Sequence, residues 1–200
     1  MRIFIDCEFI EDGKTIDLMS IGLVREDGVE LYLESSECDH SRANAWVQEH
    51  VLPKLRADVH RFTRKEIAAA IVAFVEDSGP APEFWADYAA YDWVALCQLF
   101  GTMIDLPKGW PMFCRDLQQL IATCTDPDIA ALAKLEGENP HNALGDARDV
   151  KLIWEALTEA ARADVIAAAA AAEQLQQQAK IAELSPKPAA KRKRTATKAN

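Results

Sequence analysis

Five residues of this chain have the types and spacing to do chemistry together: Asp6 and Glu8 in "IFIDCEF", Asp92 in "YAAYDWVAL", and His141 and Asp146 in "HNALGDARDV". Alternating apolar and polar residues over 3–9 predict a strand. A strand turns every second side chain to the same face, so Asp6 and Glu8 stand roughly 6 to 7 Å apart on one side of it and repel. Asp92 opens a predicted helix directly after a predicted strand, the kind of junction at which open α/β sheets assemble sites. Asp146 opens another, with His141 on the loop five residues before it. A strand end reaching water in an acid-rich protein would also yield a lone DxE. Four carboxylates converging on one small volume are different: they are tolerable only if cations bridge them, and oxygen ligands with few geometric demands suit Mg²⁺ or Mn²⁺. Two such ions about 3.5 to 4 Å apart clamp the attacking and leaving oxygens of an in-line phosphoryl displacement.

The elements that must position these residues are readable in outline. "EDGK" at 11–14 and "EDG" at 26–28 are turn signals between apolar alternating runs at 3–9, 16–24 and 29–33, which predicts an antiparallel meander. Arg2, Ile3, Phe4 and Ile5 read as a strand buried on both faces, as in the middle of a sheet. Helical patterns follow over 41–51, stopped by Pro53, and over 64–74, before "GPAP" breaks the chain. A short strand is expected at 83–87 and helices at 92–101, 115–123, 127–134 and from about 145 onward. Strands first, then a strand among helices, predict an α/β mixed sheet. Trp85, Trp93 and Trp154 are expected in the core, whereas His40, His50 and His60 read as structural or solvated.

Composition bounds the function. Two hundred residues, half of them apolar, suffice for one domain and an appendage. No apolar run reaches the eighteen or so residues of a membrane span and the N-terminus carries no basic-then-apolar leader pattern, so a cytoplasmic protein without membrane partners is expected. Cys7, Cys38, Cys97, Cys114 and Cys124 form an odd set without a CxxC pair, which argues for reduced thiols rather than a disulfide framework or zinc knuckle. The net charge of −10 hides a split: removing the six Lys and Arg of 187–200 leaves −16 for 1–186. An acidic body repels nucleic acid unless its carboxylates bind divalent cations and basic residues meet the phosphates. The expected organisation is a folded domain over 1–160, an Ala/Gln-rich helical extension over 161–186 and a basic, disordered tail over 187–200.

"FIDCE", "YAAYDWVAL" and "HNALGDA" resemble, in order, spacing and local context, the three motifs of the DEDDh 3′-to-5′ exonucleases, across roughly 2–157. "AWVQEHVLPKL", and "FWADYAAYDWVALCQLFG" followed by "PMFCRDLQQL", are similar more narrowly to small bacterial and phage exoribonucleases of the polyadenylate-specific 3′-exoribonuclease AS family. The resemblance implies a ribonuclease H-like mixed sheet, an antiparallel meander plus parallel strands, flanked by helices. It implies two Mg²⁺ or Mn²⁺ ions per active site. Asp6 would bridge both, Glu8 would bind the first near the terminal 3′-hydroxyl, Asp146 would hold the first from its helix, and Asp92 the second through water. His141 would take the proton from the attacking water, Phe9 would wedge against the terminal base, and the product would be a nucleoside 5′-monophosphate. Many relatives carry His-Asn where this chain has Asp87 and Tyr88. Asp87 therefore becomes a rival of Asp92, and Tyr88 a candidate substrate contact; Asp149 is the corresponding rival of Asp146 on its helix.

The activity expected is a divalent-metal-dependent 3′-to-5′ exoribonuclease on single-stranded RNA or 3′ overhangs, with a homodimer as one possible assembly. The alternatives are a DNA exonuclease of the proofreading or repair type and a nucleic-acid-binding protein that keeps the fold without turnover.

Overall fold

A computed structural model of the chain describes residues 1–77, 81–124 and 140–159, with the single positions 127, 131, 163 and 174. It divides into two units, Met1–Ala160 and Ala161–Asn200. Apart from those single positions, the helix expected at 127–134, the extension over 161–186 and the basic tail over 187–200 lie outside the described residues.

The expected meander is present as β1 (Arg2–Glu11), β2 (Ile16–Arg25) and β3 (Glu30–Ser35), paired antiparallel in chain order. Its first turn is built by Asp12, whose Oδ1 accepts the N–H groups of Lys14 and Thr15, and by Gly13 at φ +80°. Three further strands, β4 (Arg61–Phe62), β5 (Glu83–Ala86) and β6 (Arg115–Asp116), complete a six-stranded sheet of order β4-β3-β2-β1-β5-β6. β1 is an interior strand, and Ile3, Phe4 and Ile5 are fully buried. β4 and β6 were not expected: two residues are too few to show a period.

Helices cover both faces. α1 (Ala45–His50), α2 (Arg64–Glu76), α3 (Ala90–Gln98), α4 (Leu117–Thr123) and α5 (residues 143–159) correct the sequence reading at their ends. The single helix expected over 41–51 is broken into a short 3₁₀ turn, His40–Arg42, and α1, because Asn44 accepts the Val47 N–H and starts a new helix. α3 begins two residues before Asp92. α4 begins only after β6, with Asp116 as its cap. α5 starts at 143, two residues ahead of the expected start at about 145.

The two faces of the sheet carry separate cores. α2, closed at its start by a reciprocal Thr63–Glu66 capping box, buries Ile67, Ile71 and Val75 at helical spacing against Ile3, Ile5 and Cys7. On the other face Ala147, Val150, Trp154 and Leu157 of α5 pack on Phe4, Val24 and Trp85. Phe4 therefore fixes the face on which Asp6 and Glu8 fall two and four residues later, the face covered by α5. The tryptophans expected in the core are there: Trp85, Trp93 and Trp154 are buried. All five cysteines are free. No helix of the described residues is long and apolar enough to cross a membrane.

Gly22 decides how closely α5 can approach. It lies directly across β2 from Asp6, and a Cβ placed on it would stand 2.2 Å from the carbonyl oxygen of Ala143 at the start of α5. The obstacle is backbone, which cannot swing aside. Gly22→Ala should therefore destabilise by about 1–3 kcal/mol through overpacking, read as a lower urea midpoint at unchanged m-value. An unchanged midpoint would mean that the start of α5 does not rest on β2.

Candidate active site

β1 and β5 are parallel and pair over only three residues each, Arg2, Ile3 and Phe4 with Glu83, Phe84 and Trp85. Beyond Phe4 the β5-facing edge of β1 has no strand partner among the described residues, and the buried Cys7 N–H must be satisfied otherwise. It donates to Oδ1 of Asp92 at 2.8 Å. Asp92 stands in the first turn of α3, 5% exposed, where a carboxylate is also favoured by the N-terminal helix dipole. A bulge follows the acidic pair: Glu8 is opposite Ser20 but Phe9 opposite Leu18, leaving Met19 unpaired on β2.

The second half of the site is built around Asn142. Its side-chain oxygen caps α5 by accepting the Gly145 N–H at 3.1 Å, its amide donates to the Lys54 carbonyl at 3.3 Å, and its own carbonyl accepts the Asp146 N–H at 2.9 Å. Asp146 Oδ2 reaches back to accept the His141 N–H at 2.9 Å. That bond holds His141 at φ +63°, a left-handed conformation disfavoured for a residue with a Cβ. One carboxylate oxygen each of Glu8 and Asp146 and a ring nitrogen of His141 all lie within 4.8 Å of one another, a group that could hold a metal ion. Asp6 and Asp92 are not part of that trio, but their charges act on it.

Burial, reinforced by Asp92, Glu8, Asp146 and Asp87 in that order, raises the Asp6 carboxyl well above its usual range. Burial likewise pushes Glu8 up to about 8, with Asp146 and Asp92 adding to it. Asp92 is raised to about 7 by burial, against the pull of the Cys7 N–H. Asp146 is raised to about 6 by burial, against the pull of the His141 N–H. No Lys or Arg among the described residues forms an ion pair with any of the four. These hard oxygen donors, half-buried or buried and with the Lys54 charge acting on Asp146, fit divalent cations of the Mg²⁺ or Mn²⁺ class.

The rivals lie close enough for their charges to act on the site, Asp87 on Asp6 and Asp92 and Asp149 on Asp146. Asp87 accepts from Gln118 Nε2 at 2.8 Å, and Asp149 lines a surface recess with Glu30 and Arg148. Phe9 is partly buried in the α2-side core and stacks on Tyr91, ring centroids 5.8 Å apart and planes 11° apart. Tyr88, at φ +48° in the turn between β5 and α3, is 70% exposed. Beside Glu8 and Phe9 a recess of about 200 Å³ is closed on its far side by Trp46 and Val47 of α1.

Asn142, Gly22 and Tyr91 were not singled out from the sequence, His50 was read as structural or solvated, and no role was assigned to Trp46. A signal existed for Asn142, because Asn immediately before a helical run is a cap. Trp46 and His50 are four apart on one helix and so share a face, yet nothing local ties them to His141.

A family model described as "3'-5' exoribonuclease Rv2179c-like domain" matches residues 1–158. Two curated Mycobacterium tuberculosis proteins, 3'-5' exoribonuclease Rv2179c of strain ATCC 25618 / H37Rv and 3'-5' exoribonuclease MT2234.1 of strain CDC 1551 / Oshkosh, are each 45% identical over 152 residues, 74% of this chain and 88% of theirs. Among solved structures, S. pombe Pop2p with Mg²⁺ and Mn²⁺ bound is similar at TM-score 0.50 and 13% identity, covering 76% of this chain and 81% of its own. A 3'-exonuclease that recognises the 3' end of a histone mRNA stem-loop is similar at TM-score 0.54 and 9% identity, covering 79% and 81%. The likeness to these two is one of fold, the ribonuclease H-like mixed sheet.

The raised carboxyls give the metal-free protein a definite pH response. The folded state keeps protons on these carboxyls that the unfolded chain releases near pH 4, so their contribution to stability is fully present below that pH and is lost as pH rises toward about 8, where Glu8 ionises. Surface acids held down by hydrogen bonds, such as Asp12 at about 2, titrate below this window. Mn²⁺ needs ionised ligands, so the rise in Tm on adding it should be larger near pH 8 than near pH 5.5. A rise independent of pH would show that these carboxylates do not act as one electrostatic unit.

Proposed function

The chain belongs to the Rv2179c-like 3'-5' exoribonuclease domain family, and from that premise we propose a two-metal hydrolase that releases nucleoside 5′-monophosphates from single-stranded RNA or 3′ overhangs. The observation that carries this reading is the convergence of Glu8, Asp146 and His141 within 4.8 Å beside the half-buried Asp6 and the buried Asp92. Asp6, Glu8, Asp92 and Asp146 would hold the ions. Bound there, divalent cations would offset the carboxylate charge and stabilise the negative charge that develops on the phosphoryl oxygens.

The chain's own groups divide the remaining work. Asp92 spends one oxygen on the Cys7 N–H and Asp146 one on the His141 N–H, and each keeps its other oxygen for the site. His141 accepts the proton of the attacking water, a role that imidazole side chains commonly fill. The water oxygen bonds to phosphorus, the P–O3′ bond breaks, and the 3′ oxygen takes up a proton as the end of the shortened RNA. Glu8 lies nearest the terminal 3′-hydroxyl, Phe9 meets the terminal base, and Tyr88 lies on the exposed rim where the preceding nucleotide would pass. A group at the terminal ribose can use the 2′-hydroxyl, the feature that separates RNA from DNA.

Asp6→Ala and Asp146→Ala should abolish cleavage of end-labelled RNA while the protein stays folded by circular dichroism, and EDTA should do the same to the wild type. Full activity in EDTA would refute the metal-dependent reading. His141→Ala should lower kcat by roughly 10² to 10⁴ with Mn²⁺ affinity near wild type; loss of Mn²⁺ binding would make His141 a ligand instead of a base. RNA should be cut faster than DNA of the same sequence, and the reverse order would favour the DNA exonuclease.

A further inference from the structure

The backbone of His141 is fixed by its bond to Asp146, but that bond leaves the ring free to turn about two side-chain torsions. The described structure supplies ring contacts from a different element, α1, the nearer from Trp46, which meets the imidazole edge-on, centroids 4.8 Å apart and planes at 78°. Trp46 is in turn held from its own helix. His50, one turn later, stacks on it at 4.9 Å and 14°, and His50 Nδ1 lies 2.9 Å from the Trp46 carbonyl oxygen. The His50 and His141 rings stand 6.3 Å apart and nearly perpendicular. The three rings thus form a chain from α1 to the catalytic loop.

Trp46 is half exposed, so its ring is not committed to core packing. α1 is in turn tied to the loop that carries the base: residues just beyond it present the Lys54 carbonyl to the Asn142 amide. Ring and loop are therefore referenced to the same short segment, 45–54. We infer that Trp46 is a positioning residue of the reaction, holding the His141 imidazole in the orientation from which it takes the proton of the attacking water, with His50 bracing Trp46. The inference rests on His141 being the general base.

A single edge-to-face aromatic contact is too weak to decide folding but enough to bias a rotamer. Losing the contact lets the imidazole leave its productive direction, and a misdirected catalytic group costs rate without weakening binding.

A double-mutant cycle on single-turnover cleavage of an RNA oligomer tests this, with Mn²⁺ affinity and Tm measured for every variant. Trp46→Ala should slow cleavage by about 10- to 100-fold with KM and Mn²⁺ affinity within about twofold of wild type, and Trp46→Phe should recover most of the rate. In the His141→Ala background, Trp46→Ala should cost less than about twofold, because the two residues act through one ring. An equal loss in both backgrounds would overturn the inference, as would a raised KM at unchanged rate, which would make Trp46 a platform for RNA. A wild-type rate in His141→Ala alone would instead overturn the general-base reading and the positioning role with it.

Discussion

Mutual repulsion among four partly or wholly buried carboxylates is the constraint around which this domain is arranged. Two unit charges 6 to 7 Å apart repel by roughly 2–3 kcal/mol at an effective dielectric constant near 20, and Asp6 alone feels Asp92, Glu8, Asp146 and Asp87. A domain's total stability is only about 5–15 kcal/mol, so the acids cannot all be charged at once without compensation. Beyond the Lys54 charge acting on Asp146, the compensation visible among the described residues is of two kinds. Backbone N–H groups of Cys7 and His141 point at Asp92 and Asp146, and protons remain on the acids well above their ordinary range. Neither neutralises the cluster, and a divalent cation would.

Holding such a cluster together requires elements that cannot drift apart, and the fold supplies them from three places in the chain. β1 is anchored by pairing on both sides and by fully buried residues above and below. α3 is tied to it by the Asp92 bond across the crevice. α5 reaches it because Gly22 has no side chain to keep the helix away, and because Asn142 fastens the helix start to the segment after α1. Position and charge are thus set by separate interactions: apolar packing brings the strand and helices together, and hydrogen bonds aim the acids within that frame.

Much of this was legible before any coordinates because the relevant signals are local. The three-stranded meander follows from alternation and two turns, and Asp6, Glu8, Asp92, His141 and Asp146 stand in short recognisable contexts. What was not legible depends on distant partners. β4 and β6 have two residues each and exist only because a neighbouring strand offers an edge. The break at Asn44 was hidden inside a run that reads as helix throughout, since a cap differs from a helical residue by one hydrogen bond. The pairing of Trp46 with His141, and of Gly22 with Ala143, joins residues some ninety or more positions apart with no pattern common to both.

The brevity of the outer strands has a further consequence, for behaviour in concentrated solution. Long, regular, apolar strands such as β1 and β2 are the ones most apt to recruit identical strands from other molecules, and here both are interior in the strand order, with α3 meeting the β1 edge at Cys7 beyond its pairing with β5. The outermost strands are Arg61–Phe62 and Arg115–Asp116, each too short to template a growing ladder and each carrying a guanidinium at the rim. A chain that is half apolar is in this way protected against edge-to-edge aggregation by the geometry that also keeps its acidic strand at the centre.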